Sequence, residues 1–101
     1  MTVLFAHAAV ADLAQAEAFY EGEEEGQGKR FADEVGAVVE LIARYPRAGT
    51  RVSGRARRWK THRFPYGVFY RLTTDAITIV AILNLKRDPE TWRQRLRELD
   101  L

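Results

Sequence analysis

A chain of 101 residues has room for one domain, residues 1–101, built around a single apolar core. It holds no cysteine, which excludes disulfides and thiolate metal sites and fits a reducing compartment. The net charge of +2 hides a polarity: residues 1–40 carry nine acids and two bases, whereas residues 41–101 carry fourteen bases and five acids.

Thr2 to Ala6 (TVLFA) predicts a short first strand, apolar and β-branched with no breaker. From about Ala8 the chain turns alanine-rich, and Leu13, Ala16 and Tyr20 recur at i, i+3 and i+7, so a helix is predicted to about Glu24. The Gly26-Gln27-Gly28 stretch breaks it. A second helix follows, with Phe31, Val35, Val38, Ile42 and Tyr45 at i, i+4, i+7, i+11 and i+14, stopped by Pro46. Two antiparallel helices joined by a glycine turn should share one apolar surface.

Residues 47–54 (RAGTRVSG) read as a turn-rich loop. Three strands are predicted after it, over about Arg57 to Arg63, Tyr66 to Thr73 and Ala76 to Leu83. Within residues 63–72, Phe64, Tyr66, Val68 and Tyr70 alternate as a strand does, while AITIVAIL is apolar on both sides of the pleat and reads as a central strand. Asp88 as N-cap and Pro89 at the first helical position open a last helix with Trp92, Leu96 and Leu99 as its stripe.

The order β, α, α, β, β, β, α predicts an α+β domain. It has an N-terminal strand, a helical hairpin on an antiparallel sheet of three to four strands, and a short C-terminal helix. The hairpin covers one face. The other carries Phe69 and alternate residues of Thr78, Val80 and Ile82, with only the last helix to cover it, so an open apolar area for a protein partner is expected there. The longest apolar run, Ile79 to Leu83, is far too short to cross a membrane, and no charged segment precedes an apolar one at the start, so no membrane association and a cytoplasmic location are expected.

No motif calls for a cofactor. His7 and His62 lie outside any ligand-spaced cluster, RVSGRARRWK lacks the spacing of a phosphate loop, and the one serine, Ser53, has no neighbouring His and acid. The basic segment is the candidate surface. Arg44, Arg47, Arg51, Arg55, Arg57, Arg58, Lys60 and Arg63 put eight cations in twenty residues, with Trp59, Phe64 and Tyr66 interleaved. Cations neutralise phosphates and aromatics stack bases. The plainer reading is that arginines on an edge strand keep it from pairing with other chains. RNA cleavage would need a base, for which a Lys60 of lowered pKa would serve, and charge stabilisation from Arg63 and Arg87. A general acid is harder to find, since no Tyr, His or Cys follows Tyr70.

Four ordered pieces carry a resemblance: HAAVADLAQAEAFYE, GKRFADEV with LIARYPRAG, RFPYGVFYRL, and IVAILNLKRDPETWRQR. Together they resemble the RelE/ParE superfamily of toxins from bacterial type II toxin–antitoxin (plasmid stabilisation) systems, and its ParE branch in particular. The resemblance implies the fold derived above and a hetero-oligomer with a cognate antitoxin encoded beside it. On the ParE side it implies inhibition of DNA gyrase by binding, without enzymatic activity. On the RelE side it implies ribosome-dependent mRNA cleavage, here with Lys60, Arg63 and Arg87. From charge and position, target contact is expected at Arg57, Arg58, Lys60, Arg63, Arg87, Trp92 and Arg95, and antitoxin contact at Trp59, Phe69, Val80 and Ile82. Asn84 stands where the family often has His. A third reading is a nucleic-acid-binding or structural domain without toxicity.

Overall fold

The computed structural model describes residues 1–99. Strand β1 (Thr2–Phe5) leads into helices α1 (His7–Glu23) and α2 (Gln27–Arg44), then β2 (Thr50–Ser53), β3 (Ala56–Lys60), β4 (Tyr66–Leu72), β5 (Ala76–Asn84) and α3 (Pro89–Glu98). The α+β class and the order of elements are those predicted. Five strands form one sheet in the order β1-β5-β4-β3-β2. All neighbours are antiparallel except β1, which runs parallel to β5 with Thr2 beside Ala76 and Phe5 beside Ile79. The fifth strand, β2, comes from the stretch read as a loop. Its Thr50 and Arg51 pair with Arg58 and Arg57, and a register shift lies between Arg51 and Ser53.

The helical hairpin turns at Gly26, whose φ of 89° is a left-handed conformation that glycine adopts without steric cost. Glu21 from the last turns of α1 reaches across the turn. Its carboxylate accepts from the backbone N–H of Gly26 (3.0 Å) and of Gly28 (3.0 Å), satisfying donors that the start of α2 leaves without helical partners. Those two bonds hold the Glu21 carboxyl below its usual pKa.

The hairpin packs on one face of the sheet. Ala9 and Ala16 from α1, Phe31, Val35, Val38 and Ile42 from α2, and Val68, Tyr70, Ile77, Ile79 and Ile82 from the sheet form the main core. Phe64 and Tyr66 join it, so the alternating residues 64, 66, 68 and 70 all point to the hairpin, although Phe64 precedes β4 rather than lying in it. There the rings of Tyr20, Phe31, Phe64 and Tyr66 meet at 4.7–6.0 Å, mostly edge to face.

The opposite face is closed, not open. Helix α3 lays Trp92 and Leu96 over Ala56, Phe69, Val80 and Ala81. The Asp88 side chain accepts from Glu90 N–H at 2.9 Å, and Pro89 occupies the first turn, so α3 begins where the sequence says. Its ring of Trp92 lies 5.6 Å from Phe69.

Candidate functional site

Three of the four residues expected to meet a partner are core. Phe69 is fully buried and Val80 nearly so beneath α3, while Ile82 belongs to the core on the hairpin side. Trp59, opposite Val68 on β3, packs half-buried against that same core. Two causes correct the expectation of one open apolar face. Ten residues of helix are enough to cover the short exposed strip. A bulge also changes the parity of β5: Phe69 pairs with Ala81 and Tyr70 with Ile79, which leaves Val80 as an extra residue and turns Ile82 back to the hairpin side.

The seven residues expected to meet a target fall into three groups. Lys60, Arg63 and Arg87 are exposed. Arg57 and Arg58 are half-buried. Arg57 donates to the carbonyls of Arg47 (3.0 Å) and Gly49 (2.9 Å), tying down the turn before β2. Arg58 and Arg93 lie against the Trp92 ring at 5.9 and 5.2 Å. The Nε atoms of Arg58 and Arg71 are buried with no hydrogen-bond partner among the described residues. Trp92 is buried in the core under α3, and Arg95 is paired with Asp12 from α1. Arg63 and Arg87, joined with Lys60 in the RNA-cleavage reading, line two different grooves. The Arg63 groove is held by Glu34 of α2, whose carboxylate accepts from the backbone N–H groups of His62 and Arg63.

A cleft of about 210 Å³ lies between α1, the end of β5 and the start of α3. Asp12, Gln15, Ala16 and Phe19, spaced one helical turn apart, make the α1 wall; Tyr66, Leu83, Asn84 and Arg87 face them. Asp12 forms the floor. Its carboxylate accepts from Arg95 Nη1 (3.1 Å), Arg95 Nη2 (2.9 Å) and Ile82 N–H (3.0 Å), so one side chain links α1, β5 and α3. Asn84 Oδ1 accepts from Lys86 N–H at 2.8 Å, which leaves its amide N–H₂ to donate. Burial raises the Tyr66 pKa, with Arg87 and the Asn84 amide opposing the shift. Of the residues that line this cleft, Arg87, Trp92 and Ile82 were expected as partner contacts, whereas Asp12, Gln15, Phe19 and Leu83 were not. Phe19 alone left a signal, as an aromatic beside the buried stripe of α1 rather than on it.

Among the described residues no three His, Asp or Glu side chains gather to hold a metal ion, and no helix is long and apolar enough to cross a membrane. Residues 3–89 match the family model described as ParE toxin of type II toxin–antitoxin system, parDE. No curated protein matches in sequence. Two solved structures share the fold. The chromosomal ParDE toxin–antitoxin system from P. aeruginosa superposes with a TM-score of 0.66 at 17% identity, over 85% of this chain and 97% of that one. The isolated E. coli RelE toxin superposes with a TM-score of 0.63 at 11% identity, over 97% of both chains.

Proposed function

The chain belongs to the ParE toxin family of type II toxin–antitoxin systems, and from that premise we propose that it inhibits DNA gyrase by binding, in the cytoplasm, and is held silent by a cognate antitoxin. The observation that carries the reading is the family match across residues 3–89, which takes in every element from β1 to the start of α3. The charge distribution supports it. Lys60, Arg63 and Arg87 are exposed, and Arg58 and Arg93 crowd one tryptophan with no carboxylate paired to either among the described residues. Exposed and unpaired cations favour an acidic partner surface and speed its encounter. Inhibition by binding needs such a surface and no proton-transfer groups, which suits a chain whose last 31 residues hold no Tyr, His or Cys.

The test is a supercoiling assay with purified gyrase and relaxed plasmid. The protein should block supercoiling or trap cleaved DNA, and prior mixing with the product of the adjacent reading frame should abolish the effect. Full supercoiling at a large excess of the protein, with ribosome-dependent cleavage of a messenger by the same preparation, would replace this reading by the RelE-type one.

A further inference from the structure

The α1–β5–α3 cleft carries one cation without an ion pair among the described residues, Arg87, and its one carboxylate, Asp12, is already paired. Asn84 is oriented by Lys86, whose N–H donates to its Oδ1 at 2.8 Å, so its amide N–H₂ is left to donate into the cleft. Tyr66 lines the same cleft with a hydroxyl that can donate to a ligand. Arg87 is exposed at the mouth and forms no ion pair or hydrogen bond among the described residues. The Asp12 carboxylate on the floor is already occupied by Arg95 and Ile82 and cannot serve them. Beside these donors stands an exposed aromatic: Phe19 is 58% exposed, and half-buried Leu83 continues the apolar surface. A carboxylate would complete the donor set, and an apolar side chain would cover Phe19.

We infer that this cleft seats a segment of the cognate antitoxin in which an acidic side chain, bound by Arg87, Asn84 and Tyr66, neighbours a large apolar one packed on Phe19. The inference rests on the toxin–antitoxin reading above and specifies where the antitoxin sits. The walls favour protein over RNA. Arg87 is the one cation among the residues that line the cleft. A polyanion with a charge at every nucleotide would need several, whereas a single carboxylate needs only Arg87. Occupation would also remove one of the exposed cations assigned to the target, so binding here and neutralisation would be the same event.

The experiment measures the affinity of the full-length chain for the purified product of the adjacent reading frame by calorimetric titration. Arg87→Gln and Phe19→Gln are compared with Arg51→Gln, which makes the same charge change on the edge strand β2. Thermal melting confirms that each variant is folded. Arg87→Gln should weaken binding about 10- to 100-fold and Phe19→Gln about tenfold, with Arg51→Gln within about threefold of the parent. A parent complex that tolerates both cleft variants within about threefold overturns the cleft assignment and leaves the toxin–antitoxin reading standing. Loss by Arg87→Gln of affinity for a single-stranded RNA oligonucleotide, with antitoxin affinity unchanged, likewise overturns it and makes the cleft a nucleic-acid contact. Failure of the parent itself to bind that product removes the toxin–antitoxin reading and this inference with it.

Discussion

Asp12 and Arg95 meet in a two-point ion pair across 83 residues of chain, with Nη1 at 3.1 Å and Nη2 at 2.9 Å from the two carboxylate oxygens. The pair is three-quarters or more shielded from solvent, and Asp12 also takes the Ile82 N–H. Removing one partner leaves the other charge without its match in a partly dry place. Asp12→Ala should cost about 2–4 kcal/mol, because it orphans both Arg95 and the Ile82 N–H. Arg95→Met, which keeps the stem against the core, should cost less, about 1–3 kcal/mol. Urea denaturation of the two single variants and the double variant checks this. The double variant should lose clearly less than the sum of the singles.

Helix α3 is what keeps the second sheet face from water. Trp92→Ala should cost about 3–5 kcal/mol. It should also uncover Phe69, Val80 and Ala81, giving a protein that binds a hydrophobic dye and self-associates. Sedimentation and dye fluorescence at equal concentration test this. A monomeric variant that does not take up dye would show that α3 stays docked through Leu96 alone.

Tyr70 is buried with its hydroxyl satisfied twice, accepting from Gly49 N–H at 3.1 Å and donating to the Pro46 carbonyl at 2.7 Å. Tyr70→Phe leaves both groups without their partner and should cost about 1–3 kcal/mol. Gly49→Ala should cost at least as much, since a Cβ there would lie 2.2 Å from the Tyr70 hydroxyl and 2.8 Å from its ring carbon. Midpoints of urea unfolding measure both; a neutral Gly49→Ala would mean that the turn before β2 shifts freely.

The Glu21 carboxylate ties the two helices of the hairpin, and its folded pKa lies below the ordinary value of 4.5. Its contribution to stability is therefore complete above about pH 4.5. It falls as the unfolded chain takes up the proton and is gone once the pH passes below the folded pKa. Glu21→Gln should melt at a lower temperature than the parent at pH 7, and the gap should narrow as the pH falls below 4.5 and close once it passes the folded pKa. A gap that persists there would assign the effect to packing rather than to charge.

Local signals were enough for the elements and not for their contacts. The i, i+4, i+7 stripe of α2, the Asp88-Pro89 start of α3 and the alternation of residues 64–70 each lie within a few turns of chain and form as read, except that Tyr45 falls past the end of α2, exposed, and Phe64 precedes β4. Strand β2 escaped because RAGTRVSG has turn composition, and it pairs only because β3 offers an edge. The parallel partner of β1 lies more than 70 residues away, beyond any short-range pattern. AITIVAIL is apolar on both sides, so nothing in it marks the Val80 bulge that sends Ile82 to the hairpin side. The cleft was the least legible part. Asp12 looks like any charged residue on an alanine-rich helix, and its role depends on Arg95 and Ile82, which only the closed fold brings to it.

The most direct test of the account is controlled expression in a bacterium without the antitoxin, with DNA and protein synthesis followed by separate pulse labels over the first minutes. The account predicts that DNA synthesis fails first while transcripts stay whole, and that co-expression of the antitoxin restores it. Protein synthesis failing first, with cut messages, would contradict it and turn the exposed lysine and arginines into an RNA-cleaving site.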